Sequence, residues 1–518
     1  MTFEWGTGIT RRTHGVPFLM YEPRRTQVAE LLVDAAPFAA RTHLVQGERR
    51  LSFAETFERI EAVAGLLYER GLRPGDRLLL QAPNSPEWVI TLWAGLRLGA
   101  IVAPGNSWWS EPEVEHAVRL VSPTLVVGDE ARLAKVPSDT TKLDIASLQN
   151  PGELEAPPRP PGQEDGPALI VFTAGTTGAP KGVVLAHRSV IANLHNLLVI
   201  SQRLPHQLDL SRSAPVNLQS GPGFHIGGVQ SLLLNLLSGA TVVFLSGRFD
   251  ATEVLELIQR ERATVWGAVP TMASRVVEHP DIDSYDLNSI RSISMGGSSV
   301  QPRLLDELRK HFPNAQRGLS TIYGMTETGG TVASASGALM AEYPSTAGRP
   351  LPVCELYIAS PDEHGDGEIV VRTPGQLLGY WGEAQTELLD ADGYVHTGDQ
   401  GRLVDGLLFV TGRIKDLIIR GGENIAPAHV EAALLTHPQV RNAAVIGLPD
   451  HDLGEVVAAA IQTETPDGVT PAELAAHVTP LLARFAVPAQ WWISTEPLPM
   501  TDAGKPDKRA LARLWPGE

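Results

Sequence analysis

Residues 76–106 set the tightest limit on what this chain can fold into. "DRLLLQAP" (76–83) is a short apolar run bounded by charge and proline, the mark of a buried strand. "SPEWVITLWAGLRLG" (85–99) follows, with Ser85 where an N-cap belongs and Pro86 at the first helical position. "AIVAPGN" (100–106) then returns to a strand. Strand, helix and strand in that order make a crossover unit, which pairs its strands in parallel. The rhythm recurs in "HIGGVQSLLLNLL" with "GATVVFL", and again in "ATEVLELIQRERATVWGAVP". An α/β fold is therefore expected, with a large N-terminal domain of parallel-rich sheets layered with helices.

Two stretches break the rhythm. Residues 150–167, "NPGELEAPPRPPGQEDGP", are rich in proline, glycine and acid and read as a surface connector into the strand "ALIVF". After "GRIKDLIIRGG" the last hundred or so residues change texture. "PAHVEAALLTHP" reads as a short helix, while "NAAVIGLP" and "VVAAAIQTE" read as strands. Thr470, Pro471 and Glu473 form a capping box opening the helix "AELAAHVTPLLA". These elements predict a small α+β domain.

Composition narrows the partners. A chain of 518 residues is long enough for two or three packed units. The net charge of −17 disfavours a broad nucleic-acid surface or an anionic membrane partner. One cysteine, Cys354, leaves no internal disulfide or thiolate cluster and suits a reducing compartment. The start "MTFEWGTGITRR" has no apolar signal core. The longest uncharged stretch, 213–247, is interrupted by Pro222, His225, Gln230 and Asn235, so it reads as buried and not as a membrane span. A cytoplasmic location is the expectation.

The chemistry concentrates in a few loops. "VFTAGTTGAPKGVVL" (171–185) gathers hydroxyls, glycines and one lysine between two apolar runs. It lacks the spacing of a Walker loop, because Lys181 is preceded by Pro180 and followed by Gly182. Glycine lets the backbone approach closely, threonine hydroxyls donate, and a lysine adds mobile charge, so a phosphate is the expected ligand. In "YGMTETGG" (323–330) Glu327 offers a hard oxygen for Mg²⁺, Thr326 a donor to phosphate, and Tyr323 a face for adenine. His225 lies at the mouth of an apolar helix, and on its own is as compatible with a satisfied core group as with a site.

In that order these segments resemble the signature loops of the adenylate-forming superfamily: acyl- and aryl-CoA synthetases, luciferases and peptide-synthetase adenylation domains. The resemblance runs through nearly the whole chain. It includes "YVHTGDQGRL" (394–403), "GRIKDLIIRGGENIAPAHVE" (412–431) and "LPMTDAGKPDKRAL" (498–511). It implies an N-terminal adenylation domain over 1–412, a hinge over 413–416 centred on Lys415, and a mobile C-terminal domain over 417–518. Thr173, Gly175, Thr176, Thr177, Gly178 and Lys181 would hold phosphates. Gly297 and Ser298 of "MGGSSV", with Tyr323 and Gly324, would border adenine, and Asp399 with Arg413 would hold the ribose. Lys505, Glu327, Thr326 and His225 would be catalytic, with Glu327 the metal ligand. Gly421, Gly422 and Glu423 would flank an acceptor channel for coenzyme A.

The activity so implied is an ATP- and Mg²⁺-dependent acid–thiol ligation through an acyl-adenylate, releasing AMP and pyrophosphate. "GFHIGGVQS" lacks the carboxylate that would hold an amino group, which disfavours α-amino acids. Gly223 stands where a bulkier residue is usual, which would alter the floor of the acid pocket. Ser299 replaces a common proline, Ala486 a common basic residue, and Ala426 a frequent ring. Ala486 and Ala426 keep a carrier protein or an amine open as acceptor, and the resemblance leaves an unusual oxyacid open as substrate. The resemblance also admits a homodimer. A nucleotide-binding protein without catalysis is the alternative of a different class.

Overall fold

The computed structural model describes residues 3–152, 154–173, 180–297, 300, 302–383, 387–420, 423–465, 468–501 and 506–516. Chain contacts divide it into two compact units, Met1–Leu356 with Val371–Val395, and Tyr357–Val370 with His396–Glu518. Residues 396–412, which the sequence reading joins to the N-terminal domain, cluster with the second unit.

Two sheets organise the first unit. The seven-stranded sheet runs Gly379–Tyr380, Lys181–Ala186, Pro167–Thr173, Ile101–Pro104, Arg77–Gln81, Leu125–Gly128, Lys142–Asp144. Its last five strands are parallel, and Lys181–Ala186 is antiparallel to both neighbours. A nine-stranded sheet carries Val216–Gln219, Val265–Ala268, Ser292–Gly296 and Leu319–Met325 as adjacent parallel strands.

The expected crossover is present as Arg77–Gln81, helix Pro86–Arg97 and Ile101–Pro104. Ser85 caps the helix by accepting from the Trp88 amide at 3.1 Å. All twelve residues of that helix are buried, because it belongs to a core shared by both sheets. That core also takes in Leu232 and Leu236 of helix Ile226–Leu237 and Ile191 and Leu194 of helix His187–Ile200. On the far face of the nine-stranded sheet, helix Ala251–Glu261 buries only Val254, Leu255, Leu257 and Ile258, as a one-sided helix does. Among the described residues no helix is long and apolar enough to cross a membrane.

The connector lies at the surface as expected, with none of its described residues buried. It has no regular element, yet it is seated on the domain and does not merely pass over it. A Cβ at Gly65 would come within 3.0 Å of the Glu155 carbonyl oxygen, one at Gly99 within 2.8 Å of Pro160, and one at Gly162 within 2.5 Å of Gln27.

The second unit holds a sheet of Ile418–Arg420, Glu423–Ile425, Val440–Asp450, Gly454–Thr463 and Gln490–Ser494. One face is covered by helices Pro427–Leu434 and Pro471–Val478, and the other by Leu498 and helix Lys508–Leu514. The Thr470 capping box forms as read, with the Glu473 amide 3.3 Å from the threonine hydroxyl. The helix stops at Val478, short of the expected 483, because Pro480 has no amide N–H to continue the ladder after Thr479, which is itself still helical.

Candidate functional site

The phosphate-loop candidate is flanked by two antiparallel strands. Thr173 and Lys181 are cross-strand partners where Pro167–Thr173 and Lys181–Ala186 meet. His116, on helix Glu111–Val121, places a ring nitrogen 2.9 Å from the Pro180 carbonyl. Gly182 is small for a packing reason: a Cβ there would come within 2.8 Å of Ile170 and 3.5 Å of Trp381. Gly175, Thr176, Thr177 and Gly178 lie outside the described residues.

The segment 373–381 joins this strand pair to the "YGMTETGG" turn. Its Leu378 amide donates to Val184 at 2.8 Å and its Trp381 amide to Gly182 at 2.7 Å. On the other side the Leu377 amide donates to the Glu327 carbonyl at 2.9 Å. Tyr380 is thereby placed between the two motifs. Its phenol donates to Glu327 Oε1 at 3.0 Å, and the Lys181 ammonium lies 4.6 Å from its ring centroid. The Glu383 carboxylate accepts from Lys181 at 2.9 Å. Burial first, and then the Glu327 charge, hold the Tyr380 phenol far above its ordinary range, so it remains a donor at working pH.

The Glu327 turn is shaped by close backbone approach. Strand Leu319–Met325 ends in the short 3₁₀ turn Thr326–Thr328, with Thr328 Oγ1 accepting from the Met325 amide at 3.1 Å. Gly329 has φ +72°, and a Cβ there would come within 1.9 Å of the Gly375 carbonyl oxygen. Two buried amides hold the far side. Gln230 donates to the Gly329 carbonyl at 2.8 Å and to Asn193, and Asn193 donates to the Thr331 carbonyl at 2.7 Å. Glu327 is 7% exposed and Thr326 is half-buried.

The parallel strands deliver the remaining first-unit candidates. Gly296 pairs with Ile322, so Gly297, at φ +84°, leaves its strand beside Tyr323 and Gly324. Such carboxyl ends of parallel strands are where α/β sheets bind ligands. His225 follows strand Val216–Gln219 of the same sheet as the N-cap residue of helix Ile226–Leu237. Its ring lies 4.6 Å from Phe224, and Phe224 meets Trp108 edge-on at 5.4 Å. Gly223 has a local cause: its amide donates to Asn84 Oδ1 at 2.7 Å, and a Cβ would come within 3.0 Å of Trp88. The space a larger side chain would need is filled by Asn84 and Trp88.

In the second unit Asp399 and Arg413 are register partners, and Arg413 Nε donates to Asp399 Oδ1 at 3.1 Å. Asp399 is buried, and its amide donates to Thr397 Oγ1 at 3.1 Å. Lys415 lies on the exposed 3₁₀ turn Ile414–Asp416, and Glu423 is exposed. Ala486 is buried in the core, while Arg420 beside it donates to the Phe485 carbonyl at 3.3 Å. Ser298, Ser299, Gly421, Gly422 and Lys505 lie outside the described residues.

Among the described residues no cluster of three or more His, Cys, Asp or Glu side chains forms a self-contained metal centre. A lone buried carboxylate such as Glu327 suits Mg²⁺, which takes most of its ligands from water and substrate phosphates. Sequence reasoning missed Tyr380, Glu383, Asn193, Gln230 and His116, which position the motifs or pair with them.

In the first unit a lysine and an acidic turn meet at one tyrosine, and the second unit carries an Asp–Arg pair. The chain belongs to the AMP-binding enzyme family, whose model matches residues 32–381, with the AMP-binding enzyme C-terminal domain matching 429–505. It is 35% identical to feruloyl-CoA synthase of Amycolatopsis sp. over 92% of this chain and 96% of that protein. It is 32% identical to indoleacetate–CoA ligase of Aromatoleum aromaticum, over 90% and 94%. Its fold matches o-succinylbenzoate-CoA synthetase (MenE) of Bacillus subtilis in complex with the acyl-adenylate OSB-AMP. That match has a TM-score of 0.82 at 29% identity and covers 94% of this chain and 99% of that one. The same enzyme with ATP and a magnesium ion matches at TM-score 0.79 and 29% identity, covering 93% and 99%.

Proposed function

We propose that the protein is an ATP-dependent carboxylic acid–CoA ligase that works through an acyl-adenylate and releases AMP and pyrophosphate. The observation that carries this reading is the Tyr380 bridge, which brings a lysine and a buried carboxylate from separate motifs to one side chain. Triphosphate activation needs those two charges together, one for phosphate oxygens and one for a divalent cation. Relatives named for feruloyl, indoleacetate and o-succinylbenzoate substrates support an aryl or otherwise apolar acid.

In this reading Lys181 exchanges Glu383 for phosphate oxygens, and Thr326 donates to the phosphate. Bound at Glu327, Mg²⁺ would neutralise phosphate charge. Asp399 accepts from ribose hydroxyls with Arg413 beside it, and Gly297, Tyr323 and Gly324 border the adenine. The ring of His225, with Phe224 and Trp108, borders the acid. Lys505 stabilises the charge that builds as the carboxylate oxygen attacks the α-phosphorus and pyrophosphate leaves. Rotation about a hinge at 413–416 then withdraws Lys505 and presents Gly421, Gly422 and Glu423 to the thiol, which attacks the acyl carbon and expels AMP.

Coenzyme A is favoured as acceptor because Arg420 supplies a cation beside residue 486, where the usual basic side chain is absent. A carrier-protein thiol is the second reading, favoured by Ala426 and Ala486. Pyrophosphate release across fatty, aryl and short acids, with and without coenzyme A, tests both. Aryl-acid-dependent release with matching thioester formation is expected. Release without thioester would move the acceptor to a carrier protein or an amine, and no release with any acid would leave a nucleotide-binding protein.

A further inference from the structure

The proline-rich connector carries a feature the ligase reading does not use. Arg159 stands at the centre of "PPRPP", whose prolines restrict the backbone on both sides, and the connector is seated on Gly65, Gly99 and Gln27. Its side chain lines a trough of about 190 Å³ together with Leu32, Val33, Phe57, Ile60 and Glu61. Arg159 Nε is buried and finds no acceptor among the described residues, and neither does Nη1 of nearby Arg97, which is 8% exposed.

The carboxylates around Arg159 are already engaged. Glu61 accepts from Arg97 Nε at 2.8 Å. Glu30 accepts from the amides of Thr26 and Gln27 at 3.0 and 2.9 Å. A buried donor without an acceptor is unfavourable, and a charged one more so. What the trough lacks is an anion for Arg159 and an apolar body against its other walls. We propose that it is a second binding site, separate from the nucleotide motifs, for a small monocarboxylate with an aryl or short alkyl body. The volume falls below the ~300–1,000 Å³ of sites for drug-sized ligands, so the occupant is small. The four apolar walls argue against a bare inorganic anion. The inference does not depend on the ligase reading.

The test is binding of 4-fluorobenzoate to the full chain by equilibrium dialysis without nucleotide, read as equivalents bound. Arg159→Gln should lower the count by one equivalent, or weaken that equivalent at least about tenfold, as expected for loss of a charged hydrogen bond. Val33→Glu should do the same by placing an acid in the trough, and Val33 is 56% exposed, so this variant folds even where Arg159→Gln does not. Pyrophosphate release with saturating acid should be unchanged in both. Counts equal to wild type in both variants would overturn the proposal. So would equal binding of neutral 4-fluorobenzamide, or of inorganic phosphate, at that equivalent.

Discussion

Tyr380→Phe isolates one hydrogen bond in the centre of the proposed nucleotide site. The phenyl ring keeps its place over Lys181, so the 4.6 Å cation–ring contact survives while the 3.0 Å bond to Glu327 is lost. A hydrogen bond to a charged group contributes roughly 1.5–3 kcal/mol, or about 10- to 150-fold in a rate or binding constant. Glu327 keeps further interactions besides this one, which places the expected loss near the low end, about tenfold. The assay is initial-rate pyrophosphate release with varied Mg·ATP at saturating acid. The kcat/KM for Mg·ATP should fall about tenfold, with the KM for the acid unchanged. Adding Glu327→Gln to the phenylalanine variant should cost less than the two single effects combined, because both act through one contact. An unchanged or raised kcat/KM in Tyr380→Phe would refute the bridging role.

Two further outcomes follow from other parts of the chain. Lys505→Ala should abolish adenylation yet leave thioester formation from supplied acyl-adenylate largely intact, and equal loss of both half-reactions would contradict separate roles for the two steps. His43 is fully buried against Phe53, and burial pushes its imidazole down to about 3 from 6.5. A lowered folded-state value means stability is intact above 6.5 and falls with acidification, by about 1.4 kcal/mol per pH unit, until the folded value is reached. His43→Leu should therefore lose about 2 kcal/mol less than wild type between pH 7 and pH 5 in denaturant titrations. Equal losses would show that His43 does not set the acid limit.

The sequence was most legible where one local rule governs a residue. Ser85 before Pro86 marked a helix start, and the Thr470 capping box marked another. The crossover rhythm gave the parallel strands because apolar periodicity is local. What stayed hidden depends on partners far along the chain. Tyr380 lies on a two-residue edge strand and gains its meaning only from Lys181 and Glu327, which are distant in sequence. Gln230 was visible as a polar break in an apolar stretch, but its bond to the Gly329 carbonyl could not be read from spacing. Gly223 was visible as a departure, but the packing of Asn84 and Trp88 that leaves no room for a larger side chain there could not be read from it. The connector was legible as surface chain, but the packing that buries Arg159 Nε could not be read from its composition.

Exchange of labelled pyrophosphate into ATP, without coenzyme A, tests most directly whether the chain forms an acyl-adenylate. Label should enter ATP only when a suitable acid is present, because the first half-reaction is reversible and needs no thiol. Label entering without acid, or entering only once coenzyme A is added, would contradict that reaction order.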